Sequence, residues 1–229
     1  MADRLALALP PWAEGVLVVG DVHGQLRLFQ AAVDLAEAER RYVLSLGDLV
    51  DRGPDNAGCV RLMLDLLGRK AGSFVRGNHD DKLHRTLKGN PTNVDSDLAV
   101  TLEQLDAAPD AKALKRGFCS AFRAAPFVVA LGSSVMVHGA FARAMLASRT
   151  FHPRLKALAL YGEATPGGPA TSRSAPIAGP RRCGPRRRSS SAIIRSAIAP
   201  CWFAAAGSGA RSSISTAVPE KAGVSGCCG

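Results

Sequence analysis

The sequence predicts an α/β protein whose first half is a parallel βαβαβ unit, and three observations carry that prediction. Three short apolar runs, Val16–Val19, Tyr42–Leu46 and Ser73–Arg76, each end at Gly-Asp or Gly-Asn. Val16–Val19 reads as a buried strand because it is continuously apolar, and the other two repeat its pattern of a strand running into a glycine turn. The segments between them have helical spacing: Leu26, Phe29, Val33 and Ala36 in the first, and Ala57 to Leu67 as the second. The length, 229 residues, allows an α/β domain with a real core plus a tail. Parallel strands joined by right-handed crossovers deliver their following loops to one edge of the sheet.

Taken in order, Val16–Val19 is the first strand and 25–41 the first helix. Tyr42–Leu46 is the second strand, 57–67 the second helix and Ser73–Arg76 the third strand. A helical stretch follows, with Leu83–Lys88 continuing from the third strand's loop, then Asp97–Leu105, then Ala111–Arg123 before Pro126. Phe127–Leu131 and Ser134–Val137 are apolar runs separated by Gly132-Ser133, which predicts a hairpin-like pair. Ala140–Ala147 reads as a short helix.

From Ala164 the hydrophobic periodicity disappears and Gly, Pro, Ser and Arg dominate, so 1–163 reads as one domain and 164–229 as a low-complexity basic tail. The overall charge of +10 belongs mainly to that tail: the residues up to Glu163 carry +2 and the remainder +8. A basic groove on the first domain is therefore not implied. Cys59 and Cys119 read as small buried hydrophobes, and the cysteine spacing fits neither a disulfide framework nor a zinc site. The run Leu5 to Leu9 stops at Pro10-Pro11, too short for a secretory leader or a membrane span. A cytoplasmic protein with no membrane association and no obligate protein partner is the expectation.

The strand-end loops carry the chemistry. Asp21 and His23, in Gly20-Asp21-Val22-His23-Gly24, are one residue apart on a turn and can face one cation. A mixed oxygen and nitrogen set suits manganese, iron or zinc better than calcium. Asp48, in Gly47-Asp48-Leu49-Val50-Asp51-Arg52-Gly53, can bridge two ions roughly 3.5–4 Å apart, the arrangement used for two-metal hydrolysis of phosphate esters. Asn78 (Gly77-Asn78-His79-Asp80) and His138 (Val137-His138-Gly139) offer an oxygen and a nitrogen to the second ion. Arg52 suits the phosphoryl oxygens through its planar fork. His79 is placed to protonate the leaving oxygen and Asp51 to orient that imidazole. His84, on a charged helix, reads as solvated, and His152, beside Pro153, as a loop residue.

These four motifs in this order resemble the calcineurin-like metallophosphoesterase superfamily, in its phosphoprotein phosphatase-like branch, over roughly 16–163. The resemblance implies a layered sandwich: the βαβαβ core, a second sheet, and flanking helices. It implies that Asp21, His23 and Asp48 hold one divalent ion and Asp48, Asn78 and His138 another. Arg52 and Asn78 then meet the substrate phosphate, while His79 and Asp51 form the general-acid pair. Gly77-Asn78-His79-Asp80-Asp81-Lys82-Leu83, Leu87-Lys88-Gly89, Thr101-Leu102-Glu103-Gln104-Leu105 and Leu160-Tyr161-Gly162-Glu163 look like the phosphatase module of bacterial polynucleotide kinase-phosphatase. That likeness implies manganese as the preferred metal, with nickel, iron or zinc as substitutes. No Gly-x-x-x-x-Gly-Lys-Ser/Thr kinase loop or ligase-like segment accompanies it.

Two departures stand out. The family's His-Ala-Gly is here His138-Gly139-Ala140, and its closing Gly-His is absent, since no histidine follows His152. Regrouping the codons after Glu163 from each third base, with G- or C-ending codons, turns Ser189–Ile194 into a Val-Val-Gly-His run. The same offset turns Pro200–Phe203 into Val-Leu-Val-Arg. The tail is therefore read as frameshifted, with the C-terminal strands missing or disrupted, weak metal occupancy and impaired activity. The expected function is a metallophosphoesterase hydrolysing phosphomonoesters of nucleotides or nucleic-acid ends with a water activated by two metals. A protein Ser/Thr phosphatase acting on phosphoproteins and a dinucleoside tetraphosphatase are the enzymatic alternatives. A catalytically impaired polyanion-binding protein is the alternative of another class.

Overall fold

Successive residues of the first long strand feed different cores. Val16 and Val18 pack in one cluster with Tyr42, Leu44, Val75, Val129 and Met136, whereas Leu17 and Val19 pack with Val43, Phe74 and a layer of helices. Strands buried on both faces in this way read as unbroken apolar runs. The computed structural model describes residues 2–162, together with the backbone of 193–194 and 203–206.

Two four-stranded sheets lie face to face. The first contains β2 (Gly15–Val19), β3 (Arg41–Ser45) and β4 (Gly72–Phe74), all parallel, in the order β4-β3-β2. The second contains β1 (Arg4–Ala6), β5 (Val128–Leu131) and β6 (Ser134–Val137), with β1 parallel to β5 and β5 antiparallel to β6. From the basic C-terminal region, Ile193–Ile194 (β7) pairs with β6 and Phe203–Ala206 (β8) pairs antiparallel with β2. The C-terminal strands, expected to be missing or disrupted, are thus two short strands at the sheet margins. The rest of the proposed frameshifted tail lies outside the described residues.

Helices cover both outer faces. Over the first sheet lie α1 (Leu26–Ala38), α2 (Asn56–Gly68), α3 (Asn78–Leu87), α4 (Ser96–Ala107) and α5 (Ala111–Ala124), which bury Phe29, Met63, Leu66, Leu83, Leu98, Leu105 and Phe118. Over the second lie α6 (Ala144–Ala147) and α7 (Pro153–Tyr161), where Met145, Phe151 and Leu160 pack on Val128 and Val137. Burying each such side chain is worth roughly 1.5–3 kcal/mol. Helix starts are set locally: Asp55 accepts from Gly58 N at 2.6 Å and Asp95 from Leu98 N at 3.1 Å.

Some expectations need correction. The first helix stops at Ala38, not Arg41, because Arg40 takes a left-handed φ of 53° and returns its N–H to Glu37 O at 3.1 Å, so Arg41 opens β3. The Leu5 to Leu9 run begins in an unforeseen strand, β1, since pairing with β5 lies far along the chain. The expected helix at 140–147 is confined to Ala144–Ala147, because Gly139 N and Ala140 N are tied to Ala159 O and Leu158 O at 2.7 and 3.0 Å. Helix α7 was not foreseen; His152, read as a loop residue, caps it, its Nδ1 accepting from Arg154 N at 3.3 Å. His84 is not simply solvated: its ring stacks on Phe122 at 4.7 Å and its Nε2 is buried without a hydrogen-bond partner. Cys59 is fully buried, as expected, and Cys119 partly so. No helix among the described residues is long and apolar enough to cross a membrane.

Candidate metal and catalytic site

The carboxyl ends of β2, β3 and β4 release their loops at one edge, and the loop after β6 joins them there from the second sheet. Among the described residues, six non-glycine positions have positive φ. Arg40 and Lys70 follow helix ends, where that conformation closes the last turn. The other four are His23, Asp48, Asp51 and Arg52, at φ 43°, 50°, 72° and 68°. Such backbones cost on the order of 1–3 kcal/mol each and persist where surrounding contacts over-determine them. Gly77 shows how close the loops come: a Cβ there would lie 2.2 Å from Asp48 N and Asp48 Oδ1.

Two imidazoles are held alike. His23 Nδ1 lies 2.9 Å from Val50 O, and His138 Nδ1 lies 2.9 Å from Leu46 O. A carbonyl accepts only from N–H, so in each neutral ring the proton sits on Nδ1 and a lone pair on Nε2. The His138 Nε2 lone pair points at Asn78 Oδ1, 2.8 Å away, and lies 3.5 Å from Asp48 Oδ2. His23 Nε2 is 3.9 Å from Asp21 Oδ2 and 3.8 Å from Asp48 Oδ2. Asp21 also reaches the other ring, its Oδ1 lying 3.8 Å from His138 Nδ1. Lone pairs converging on one another in this way suit cations, and a histidine tied to a carbonyl through its far nitrogen is the usual arrangement of a metal ligand. Asp48 lies between the two imidazoles, and its Oδ1 accepts from His79 N at 2.9 Å.

His79 is engaged differently. Its Nδ1 lies 2.7 Å from Asp51 Oδ2, a carboxylate with no exposed surface, and its Nε2 lies 3.2 Å from Arg52 Nη2. The ligand atoms of His23, Asp48 and His79 lie within 4.8 Å of one another, so distance alone would admit His79 as a ligand. A ligand histidine can give its far N–H to a carboxylate as readily as to a carbonyl, so the acid role of His79 comes from the family resemblance and belongs to the proposed function. Burial alone would lower the His79 pKa, but the hydrogen bond to Asp51 and the charge of Asp48 outweigh it, so the value lies above the ordinary one. The Arg52 guanidinium also meets His23 Nε2 at 3.1 Å, and its Nε lies 4.0 Å from Asp97 Oδ2.

Every residue singled out from the sequence therefore reaches this edge. Three others were not foreseen. Asp80 is wholly buried beneath the site; its Oδ1 accepts from Leu49 N at 2.9 Å, and burial with the nearby Asp48 charge pushes its pKa up to about 8. Thr101 donates to Asp51 Oδ1 at 2.6 Å. Gln104 accepts from Asn56 N at 2.7 Å and donates to Pro54 O at 3.1 Å. The third-motif Asp was visible as a strand-end acid, whereas Thr101 and Gln104 stood out only as members of the segment that resembles the polynucleotide kinase-phosphatase module, with no role attached.

A family model described as calcineurin-like phosphoesterase matches residues 15–150, more than half of the chain and all of the loops just described. The chain belongs to the calcineurin-like phosphoesterase family. Similar members include bis(5'-nucleosyl)-tetraphosphatase PrpE [asymmetrical] of Geobacillus thermodenitrificans, 27% identical over 65% of this chain and 65% of the relative. The protein of that name from Bacillus subtilis is 28% identical over 65% of this chain and 66% of the relative. This chain thus spans slightly less than two thirds of the relatives' length. Among solved structures, a metallophosphoesterase from Sphaerobacter thermophilus aligns at 23% identity with a TM-score of 0.38, covering 67% of this chain and 58% of the other. Membership of the calcineurin-like phosphoesterase family implies divalent metal ions, and the oxygen and nitrogen donors at this edge fit them.

Proposed function

We propose that this calcineurin-like phosphoesterase hydrolyses phosphate linkages of nucleotides, with the phosphoanhydrides of bis(5'-nucleosyl) tetraphosphates the first to test and phosphomonoesters of nucleotides or nucleic-acid ends the second. The observation that carries the reading is the convergence of the Asp48, Asn78 and His138 donor atoms beside a His79–Asp51 pair at 2.7 Å. The names of the similar members support the tetraphosphate choice.

Asp21, His23 and Asp48 would hold one divalent ion and Asp48, Asn78 and His138 the other, manganese being preferred over nickel, iron or zinc. When bound, the ions supply charge neutralisation at the phosphoryl group and a lowered pKa for the attacking water. Arg52, already at the mouth of the site between His23 and His79, turns its fork onto the phosphoryl oxygens, which Asn78 also faces. His79, with its raised pKa, delivers a proton from Nε2 to the leaving oxygen as the bond from phosphorus to that oxygen breaks. Asp51 holds the other ring nitrogen throughout.

The domain assignment, 1–163 catalytic and 164–229 a frameshifted tail, belongs to the same reading, as does a cytoplasmic location. Sequencing the gene between codons 160 and 175 tests the frameshift. Function is tested with a panel of bis(5'-adenosyl) tetraphosphate, nucleoside monophosphates, 3′-phosphorylated DNA and a phosphoserine peptide under manganese. Hydrolysis of any of the first three, lost in Asp48→Asn, is expected. No hydrolysis with any divalent metal, combined with salt-sensitive polyanion binding that survives Asp48→Asn, would favour a binding protein instead.

A further inference from the structure

We propose that Thr101, on α4, is a positioning residue for the His79 acid: its hydroxyl locks the Asp51 carboxylate, which in turn locks the imidazole. The proposal rests on the role of His79 given above. Thr101 and Asp51 are both without exposed surface. Thr101 Oγ1 lies 2.6 Å from Asp51 Oδ1 and 3.1 Å from Asp97 O. A hydroxyl has one proton to give. In a helix its default acceptor is the carbonyl four residues back, here Asp97 O. The carboxylate is nearer and charged, so it takes the proton.

The second contact decides what Asp51 can do. Its Oδ2 faces His79 Nδ1 at 2.7 Å, so Oδ1 is the oxygen that remains to be fixed. Without Thr101 that oxygen would be buried without this donor, and the carboxylate would be free to turn about its terminal torsion, carrying the His79 ring with it. The same helix face holds the neighbouring loop. Asp97 lies beside Arg52, and Gln104 binds Asn56 N and Pro54 O. Residues 97, 101 and 104 are spaced four and three apart, so they share one side of α4. The left-handed pair Asp51 and Arg52 is thereby pinned from a helix that contributes nothing to the metal-ligand set.

Thr101→Val removes the hydroxyl at nearly constant volume, Thr101→Ser keeps it, and Thr101→Ala serves if the valine is not accommodated. With phenyl phosphate, whose leaving group needs the proton, kcat should fall about tenfold or more with KM unchanged. With 2,4-dinitrophenyl phosphate, which leaves unprotonated, the loss should stay below about threefold. Thr101→Ser should restore both, and Thr101→Val should add little in an Asp51→Asn background. Independently of turnover, nitrogen-15 NMR of the His79 ring should show a fixed Nδ1–H in the parent and exchange between tautomers in Thr101→Val. Equal losses with both leaving groups, or an unchanged imidazole signal, would overturn the proposal. A parent that hydrolyses nothing would instead sink the functional reading, leaving the NMR comparison to decide the role of Thr101.

Discussion

The two halves of the site are built in different ways. His23 and Asp48 come from consecutive parallel strands, β2 and β3, whose loops are laced together by backbone bonds, Val22 N and His23 N to Asp48 O at 3.0 and 2.8 Å. The half around Asn78 and His138 is joined only where the second sheet meets the first, since His138 reaches Leu46 O and Asn78 Oδ1 across a separation of 92 and 60 residues. The first half is held by local chain geometry with strained backbone. The second depends on the sandwich. Asp48 faces both imidazoles, so the comparison can be broken there or sharpened on either side.

The largest effect is expected from Asp48→Asn, which weakens both halves together. Partners that only orient metal ligands are worth about 10–100-fold in affinity or activity, and loss of a shared ligand should exceed that. Calorimetric manganese titration alongside the nucleotide assay checks it, and one site left intact would show that Asp48 does not link the halves.

Met136→Ala sharpens the contrast, because Met136 packs from β6 into the cluster between the sheets. It should cost about 2–5 kcal/mol in urea unfolding. At intermediate urea, manganese binding at the His138 half should fail before binding at the His23 half.

A smaller effect is expected on the local side. Asp55→Ala removes the cap that takes Gly58 N–H and should cost about 1 kcal/mol of stability. Any change in metal binding should fall on the His23 half, since Asp55 N donates to Gly24 O at 3.0 Å in the loop that carries His23.

The smallest effect concerns His84, which lies away from both halves. Its pKa is lowered, chiefly by burial against Phe122, with Lys88, Arg76 and Arg123 adding to the shift and Asp81 opposing it. The folded state therefore keeps the ring neutral while the unfolded chain protonates it near the ordinary value of 6.5. Stability from this group is present above that value and is lost as pH falls below it. Melting temperature measured from pH 8 to pH 5 should decline less in His84→Phe, and an identical decline would remove His84 from the account.

The same division explains what was legible beforehand. Asp21, His23, Asp48, Asp51, Arg52, Asn78 and His79 each follow an apolar strand within a few residues, so period and punctuation place them at one sheet edge. His138 likewise follows an apolar run, Ser134–Val137, but its 2.8 Å approach to Asn78 was not derivable from spacing. Thr101 and Gln104 looked like ordinary helix residues because their partners lie 50 and 48 residues away. Strand β1 and helix α7 were missed for a related reason: β1 is short and gains its stability from β5, and α7 from the cluster around Phe127 and Val137.

By itself, the sequence determined the parallel core, the order of its loops and the residue types that meet there, because strand and helix periods and Gly-Asp turns are properties of short segments. Only the tertiary structure decided which atoms face one another: which nitrogen of His23 and His138 is tied to a carbonyl, which hydroxyl steadies Asp51, and how the second sheet delivers its histidine. Those contacts join segments far apart in the chain, and they form only when burial of the two sheets and their helices brings the segments within hydrogen-bond reach.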